Sequence, residues 1–418
     1  MEKDKKTLNK NLLLLLLGRF VSDTGNSLQM VIMPLYIIDV GGSAATVGLF
    51  AFLSLVPALI VYPIAGVLGD RLNRKIIMVA TDLASAVVIL GLALSAYSDR
   101  MSLPFLLSIQ VIVSLLNGLF DPATKGMLPQ LVNENELSRA NSAVAGLRTL
   151  AGLLGPVIGT MLYASLGITV VFFINGISFL LSGCSEMLIK YKHVKRESIT
   201  GKTGFISDLS EGASFIFDNK MIRRLCMFFL IIYALIQPIF TVVLPLFFKT
   251  RLEYSDTQYG YLQIFIILGA LLGSILVGIL FSKDKKVTKP LVMGLSLLMG
   301  MMLAFVTLLF PHSILLLGQG TFAYFISLAA VLCFLSIAIM FINVPVQTYI
   351  QRATPNEYMS RVFSIVGMIT KGGMPFGALV YGMILNKVEV HWTMLAATLL
   401  ISFISVVFLI SLLNEQEL

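Results

Sequence analysis

Charge is what this chain has least of. Only 12% of its 418 residues are Asp, Glu, Lys or Arg, about half the share of roughly 25% in soluble domains. A globule so poor in charge lacks the polar surface to face water, which excludes a large soluble core. Histidine is almost missing, with 3 residues. His193, His312 and His391 are scattered over predicted loops, with no metal-ligand spacing and no nucleophile motif around them, so neither enzymatic catalysis nor a metal or other cofactor is expected. The 3 cysteines, Cys184, Cys226 and Cys333, lie far apart in or beside apolar stretches. They read as free thiols, not a disulfide or zinc framework.

What the chain has is apolar length: 57% of it is hydrophobic. Twelve apolar blocks fall near 11–38, 44–69, 76–97, 102–124, 140–164 and 168–189, then 222–248, 257–281, 290–310, 313–341, 362–385 and 392–413. Each approximates the ~20 residues that cross a ~30 Å hydrocarbon layer as a helix. Helices are required because backbone groups in lipid must bond within their own segment. The basic start followed by Leu12–Leu17 superficially resembles a signal peptide. The apolar stretch, however, runs past Arg19 and Asp23 to Ile38, too long for such a segment, so it is expected to remain as the first helix.

The net charge of +8 sorts by topology and does not call for nucleic acid. With the N-terminus inside, 23 of the 30 Lys and Arg residues fall in inside segments, and 4 (Arg100, Lys249, Arg251, Lys387) fall outside. That bias puts both termini in the cytoplasm. The longest polar stretch, 190–221, divides the chain into 1–189 and 222–418, each with six blocks. Within it Ile206, Leu209, Ala213, Ile216 and Phe217 recur at helical spacing, as in an interfacial amphipathic helix.

The halves repeat. Leu128–Ala140 aligns with Ile350–Val362 at an offset of 222, each segment ending in Ser-Arg (Ser138-Arg139, Ser360-Arg361), and Gly155 falls on Gly377. Each segment holds a capping box, Asn133 to Glu136 and Thr354 to Glu357, one residue out of register. A parallel repeat of two six-helix halves is a known transporter layout.

Between the second and third blocks the chain reads Gly66-Val-Leu-Gly-Asp70-Arg71-Leu-Asn-Arg74-Lys75. This resembles the major facilitator signature G-x-L-x-D-R-x-G-R-K, with Asn73 in place of the usual Gly; Asn tolerates a left-handed turn. Gly278–Lys286 in the second half keeps the Gly and the basic run without the Asp-Arg pair. The fifth block reads Ala151-Gly-Leu-Leu-Gly155-Pro156-Val-Ile-Gly159-Thr160, which resembles the family's antiporter-type G-x-x-x-G-P-x-x-G-G; Ala151 and Thr160 depart from it. The R-x-x-x-G pattern of the fourth helix is absent, because Ser114 stands where Arg would precede Gly118. Asp121-Pro-Ala-Thr, Leu128-Pro-Gln-Leu-Val, Pro345-Val-Gln-Thr, Arg361-Val-Phe-Ser and Met374-Pro375 resemble the macrolide-efflux and enterobactin-exporter branch.

The resemblance implies an all-α membrane protein of the major facilitator fold, with 12 transmembrane helices in two pseudo-symmetric six-helix bundles. It implies a proton-coupled exporter of a small amphipathic molecule in a bacterial-type inner membrane, with Gly66, Asp70, Arg71, Arg74 and Lys75 latching the cytoplasmic side. The expected partners are a small-molecule substrate, protons and the lipid bilayer, with the chain acting as a monomer. A lipid or lysophospholipid flippase and a non-transporting sensor or scaffold are the alternatives.

Charges inside apolar blocks mark function, since each costs ~2.5 kcal/mol or more at a helix centre. Arg19 and Asp23 share a face of the first helix, with Asn26 and Gln29 continuing it. Arg148 on helix 5 and Lys371 on helix 11 stand at nearly equivalent places in the repeat. These six are the expected cavity residues, Asp23 the leading proton carrier and Asp82 the next. Asp121 and Glu186, near block ends, are expected to be interfacial. The excess of cations over Asp23 is expected to suit an anionic substrate.

Overall fold

A computed structural model describes residues 2–132, 134–190, 213–281, 287–318, 320–354 and 359–413, though not the side chains of 2–9, 63, 66, 67, 69–71, 129, 134–139, 141, 142, 145, 359–361, 363, 364 and 413. Most of the 190–221 stretch, both capping boxes, most of the Gly278–Lys286 basic run, and the Asp70 and Arg71 side chains lie outside that set.

Every long element is a helix. The first half holds α1 (Glu2–Asp39), α2 (Ala44–Arg71), α3 (Arg74–Tyr97) and α4 (Leu103–Leu131). The 54-residue stretch Glu134–Met187 breaks at Gly167 into α5 (134–166) and α6 (168–187). Gly167 has φ 76° and ψ −179°, a region that only glycine enters without large strain. In the second half, α7 joins Lys220–Pro238, a π-helical Ile239–Val243 and Leu244–Thr250 in one rod. It is followed by α8 (Asp256–Phe281), α9 (Thr288–Leu309), α10 (Phe322–Ala353), α11 (Met359–Leu385) and α12 (Val390–Leu413).

Among the described residues, ten stretches are long and apolar enough to cross a membrane. One of them, Gly146–Met187, becomes two spans once the break at Gly167 is counted. With α1, whose length carries Arg19 and Asp23, the set reaches the twelve expected from the sequence. The tenth block shifts most. Pro311–Leu317 forms a short separate helix that stops at Gly318 (φ 79°), and Thr321 then caps α10 by accepting from Tyr324 N–H. At its other end α10 runs through Pro345 to Ala353.

Contacts divide the chain into two compact units, residues 1–202 with 255–260, and 203–254 with 261–418. Within the first, α1 packs on α5 and α6, α3 on α6, and α2 on α4. Within the second, α7 packs on α11, α9 on α10 and α12, and α8 on α10. Small residues make the closest contacts, as expected where apolar lipid supplies no drive for helices to associate. A Cβ on Gly155 of α5 would stand 2.5 Å from Ser27 Cβ of α1. Its repeat equivalent Gly377 on α11 sits against the Ala234 carbonyl of α7, where a Cβ would come within 1.8 Å.

Proline explains that second contact. Pro238 has no N–H, so the Ala234 carbonyl loses its helical donor, and Gly377 packs over it. The π turn begins here: Ile239 N–H bonds Gln237 and Ile236 carbonyls, which frees Leu235 O. The Tyr381 hydroxyl of α11 donates to that oxygen at 3.0 Å. A neighbouring helix thus satisfies backbone that the break exposes, the condition for a broken helix in lipid.

Replacing Gly377 by Ala forces this contact apart and is expected to cost about 1–3 kcal/mol. Gly367→Ala on the same helix meets nothing within 4 Å and should leave stability unchanged. Thermal unfolding of the purified variants compares them; equal midpoints would remove the close contact as a determinant of α7–α11 packing.

Candidate functional site

The first unit contains a cavity of about 330 Å³ lined by Ser22, Asp23, Asn26, Ser27, Gln29 and Met30 of α1, Ser54 and Leu55 of α2, and Asp82 of α3; Gln110, Val113, Asn117, Phe120 and Asp121 of α4, Arg148 of α5 and Phe179 of α6 complete it. Four expected residues, Asp23, Asn26, Gln29 and Arg148, therefore meet around one space. The fifth, Arg19, stands beside it. Lys371 lies on α11 in the second unit, with its side chain exposed.

Arg19 organises the charge. Its guanidinium lies 3.4 Å from Asp23 and 3.4 Å from Asp121, with Cζ 5.0 Å from the centre of the Phe120 ring. Asp121 is further held by the Tyr62 hydroxyl, which donates at 3.0 Å. The expected Arg19–Asp23 pair is thus part of a larger network joining α1, α2 and α4. α4 runs on to Leu131, past its apolar block, so Asp121 stands inside the helix. Glu186 lies one residue from the end of α6 and is nonetheless 0% exposed. α1 sits against that end. There Asn11 Nδ2 donates to the Lys190 carbonyl at 2.8 Å, and Lys190 N–H donates back to Asn11 Oδ1 at 3.0 Å.

Uncharged polar groups complete the wall. Asn175 Nδ2 donates to Gln29 Oε1 at 2.5 Å, linking α6 to α1. Ser114, at the position of the missing Arg, has another role. Its hydroxyl donates to the Ser54 carbonyl at 2.9 Å and accepts from Ala58 N–H at 3.1 Å. It is inserted between two groups that an unbroken helix would join directly, and so fastens α4 to α2 next to Pro57.

The signature loop lies at one end of the same unit. Asn73 has φ −66° and caps α3 by accepting from Lys75 N–H at 3.0 Å. Its place there is explained by capping, and the expected left-handed turn is not formed. Arg74 Nη1 donates to the Gly126 carbonyl of α4 at 2.5 Å. Lys75 Nζ donates to the Met187 carbonyl at 2.7 Å, a cation at the negative C-terminal end of α6. The start of α3 is thereby tied to α4 and α6.

A bundle of membrane-length helices around a buried polar cavity is the architecture of a polytopic transporter. The chain belongs to the Major Facilitator Superfamily, whose profile matches residues 15–378. It is 25% identical over 407 residues to macrolide efflux protein A of Streptococcus pyogenes, covering 94% of each chain. It is 24% identical over 410 residues to the multidrug efflux pump Tap of Mycolicibacterium fortuitum, covering 95% of this chain and 94% of that one. A bacterial homologue of the iron transporter ferroportin, crystallised in an inward-facing state, shares the fold with a TM-score of 0.72 at 15% identity, over 96% of this chain and 98% of that one.

Arg19 pairs with two acids, which share its single charge. Arg19→Gln removes that shared partner and is expected to destabilise by about 3 kcal/mol or more. Asp23→Asn leaves Arg19 paired with Asp121 and should cost only about 1 kcal/mol. Thermal unfolding of the purified variants should keep that order; the reverse order would show that Asp23, not Arg19, anchors the network.

Proposed function

We propose that this transporter is a proton-driven exporter of small amphipathic organic molecules, working by alternating access in a bacterial inner membrane as a monomer with both termini cytoplasmic. The observation that carries the reading is the cavity in the first unit, where a net of acids, amides and one arginine is embedded among apolar helices. Such groups are expensive in lipid and persist where they serve a pathway. The export direction is supported by the efflux relatives and by the small-residue stripe Ala151, Gly155 and Gly159, the family's antiporter-type pattern. The orientation is supported by the distribution of Lys and Arg.

Arg19, Asp23, Asn26, Gln29 and Arg148 are assigned to the substrate and proton cavity of the first unit, and Lys371, on α11, is assigned to substrate contact within the second. The lining acids, Asp23, Asp82 and Asp121, outnumber its single cation, Arg148, and Arg19 is already engaged with two of them. This balance favours an amphipathic substrate, neutral or cationic, over an anionic one. Gly66, Asp70, Arg71, Arg74 and Lys75 are assigned to the cytoplasmic gate, on the signature match and on the ties that Arg74 and Lys75 make.

The test is uptake of a labelled macrolide into proteoliposomes against its gradient, driven by an imposed pH difference. Wild type is expected to accumulate the label and to lose accumulation when a protonophore collapses the gradient. Asp70→Asn is expected to insert normally and transport at a reduced rate. Accumulation that ignores the protonophore would reject proton coupling, and full flux from Asp70→Asn would reject the gate.

A further inference from the structure

Two acids in the first unit stand apart from the Arg19 network. Asp82 on α3 is 2% exposed and Glu186 on α6 is 0% exposed. Both Glu186 carboxyl oxygens and Asp82 Oδ2 lack a hydrogen-bond partner among the described residues. The Ser182 hydroxyl, one turn before Glu186, is itself 0% exposed and has no hydrogen-bond partner among the described residues. A Cβ on the next residue, Gly183, would stand 3.6 Å from Asp82 Cβ, which places Asp82 against this turn of α6.

The charged groups around the pair leave it uncompensated. From α1, Arg19 acts on both acids across a distance, but its hydrogen bonds go to Asp23 and Asp121. Asp23, also on α1, adds charge of the same sign as Asp82. From the start of α3, the Lys75 ammonium is bonded to the Met187 carbonyl. Two buried carboxylates on packed helices, without a hydrogen-bonded cation, cost several kcal/mol per charge. A proton removes most of that cost. It turns an acceptor-only carboxylate into a neutral group that can also donate.

We propose that Asp82 and Glu186, with Ser182, form the proton-carrying site of the transporter. The proposal rests on the proton-coupled reading above and names its site. Asp82 lines the cavity, so a proton on the pair reaches cavity water through it. Glu186 is shielded by α1 and lies one residue from the Met187 carbonyl that Lys75 holds. Asp23, the acid that sequence position alone favours, is hydrogen-bonded to Arg19, a partner that Asp82 and Glu186 lack.

Infrared spectroscopy of the purified full-length protein at neutral pH reads the protonated carboxyl directly. The absorption of a buried carboxylic acid is expected in wild type, weaker in Asp82→Asn and in Glu186→Gln, and missing from the double variant. The amide replacements are close to isosteric and uncharged, so thermal unfolding of the double variant should match wild type and exclude a folding defect. In proteoliposomes carrying a labelled macrolide, the double variant should lose accumulation driven by a pH difference. An unchanged carboxylic absorption in the double variant overturns the proposal, and so does gradient-driven accumulation equal to wild type. Exchange without any gradient-driven accumulation by wild type overturns the proton-coupled reading, and this proposal with it.

Discussion

A guanidinium buried between helices has to be neutralised where it stands, and much of the first unit is arranged around that need. Arg19 cannot shed its proton, so its site must supply negative charge. One acid comes from its own helix and one from α4, with the Phe120 ring face closing one side. Tyr62 of α2 then fixes the second acid. Three helices are held in register by one charge. The same arrangement leaves polar side chains around an open space, which a close-packed apolar core would not do.

Helix approach is governed by a separate device. Lipid gives helices little reason to associate, so contact depends on small residues and on hydrogen bonds that bridge elements. Gly155 brings α5 onto α1, and Gly377 brings α11 onto α7 over a carbonyl that Pro238 has freed. Ser114 enters the α2 ladder in much the same spirit, mending backbone that Pro57 interrupts. In each case an irregularity in one helix is completed by a group on its neighbour.

The fold was almost wholly legible in the sequence because lipid leaves so few options: apolar blocks of spanning length must be helices, and a repeat at an offset of 222 orders them. The helix ends were less legible. The segment at 313–341 hides a break at Gly318 and an extension past Pro345, neither of which hydropathy registers. The site was legible in part. Arg19, Asp23, Asn26, Gln29 and Arg148 stand out as polar groups in apolar blocks, and they do meet at the cavity or beside it. For Asp121 and Glu186 the sequence shows a place near block ends but not their surroundings, which come from neighbouring helices: Arg19 of α1 pairs with Asp121, and α1 lies beside the end of α6. That information is tertiary. Asn73 shows the same limit in miniature, since its residue type fits either a left-handed turn or a helix cap, and only the backbone angle separates them.

The repeat also separates what the two units share from what they do not. At the same offset Gly155 meets Gly377 and the packing is kept, but Asp82 falls on Ala304, Asp121 on Asn343 and Glu186 on Phe408. Asn343 still accepts a tyrosine hydroxyl, from Tyr233 at 2.6 Å, as Asp121 does from Tyr62. Phe408 stacks on Phe228 with ring centres 4.0 Å apart, where the first unit has an unbonded acid. The hydrogen-bond geometry and the glycine contact therefore survive in the second unit while the charges are replaced by an amide, a methyl and a ring. Helix packing alone asks for shape and satisfied hydrogen bonds, and those neutral residues supply both. The acids of the first unit are more than packing requires, and that surplus is the ground for proposing the proton site in this unit and not in its repeat.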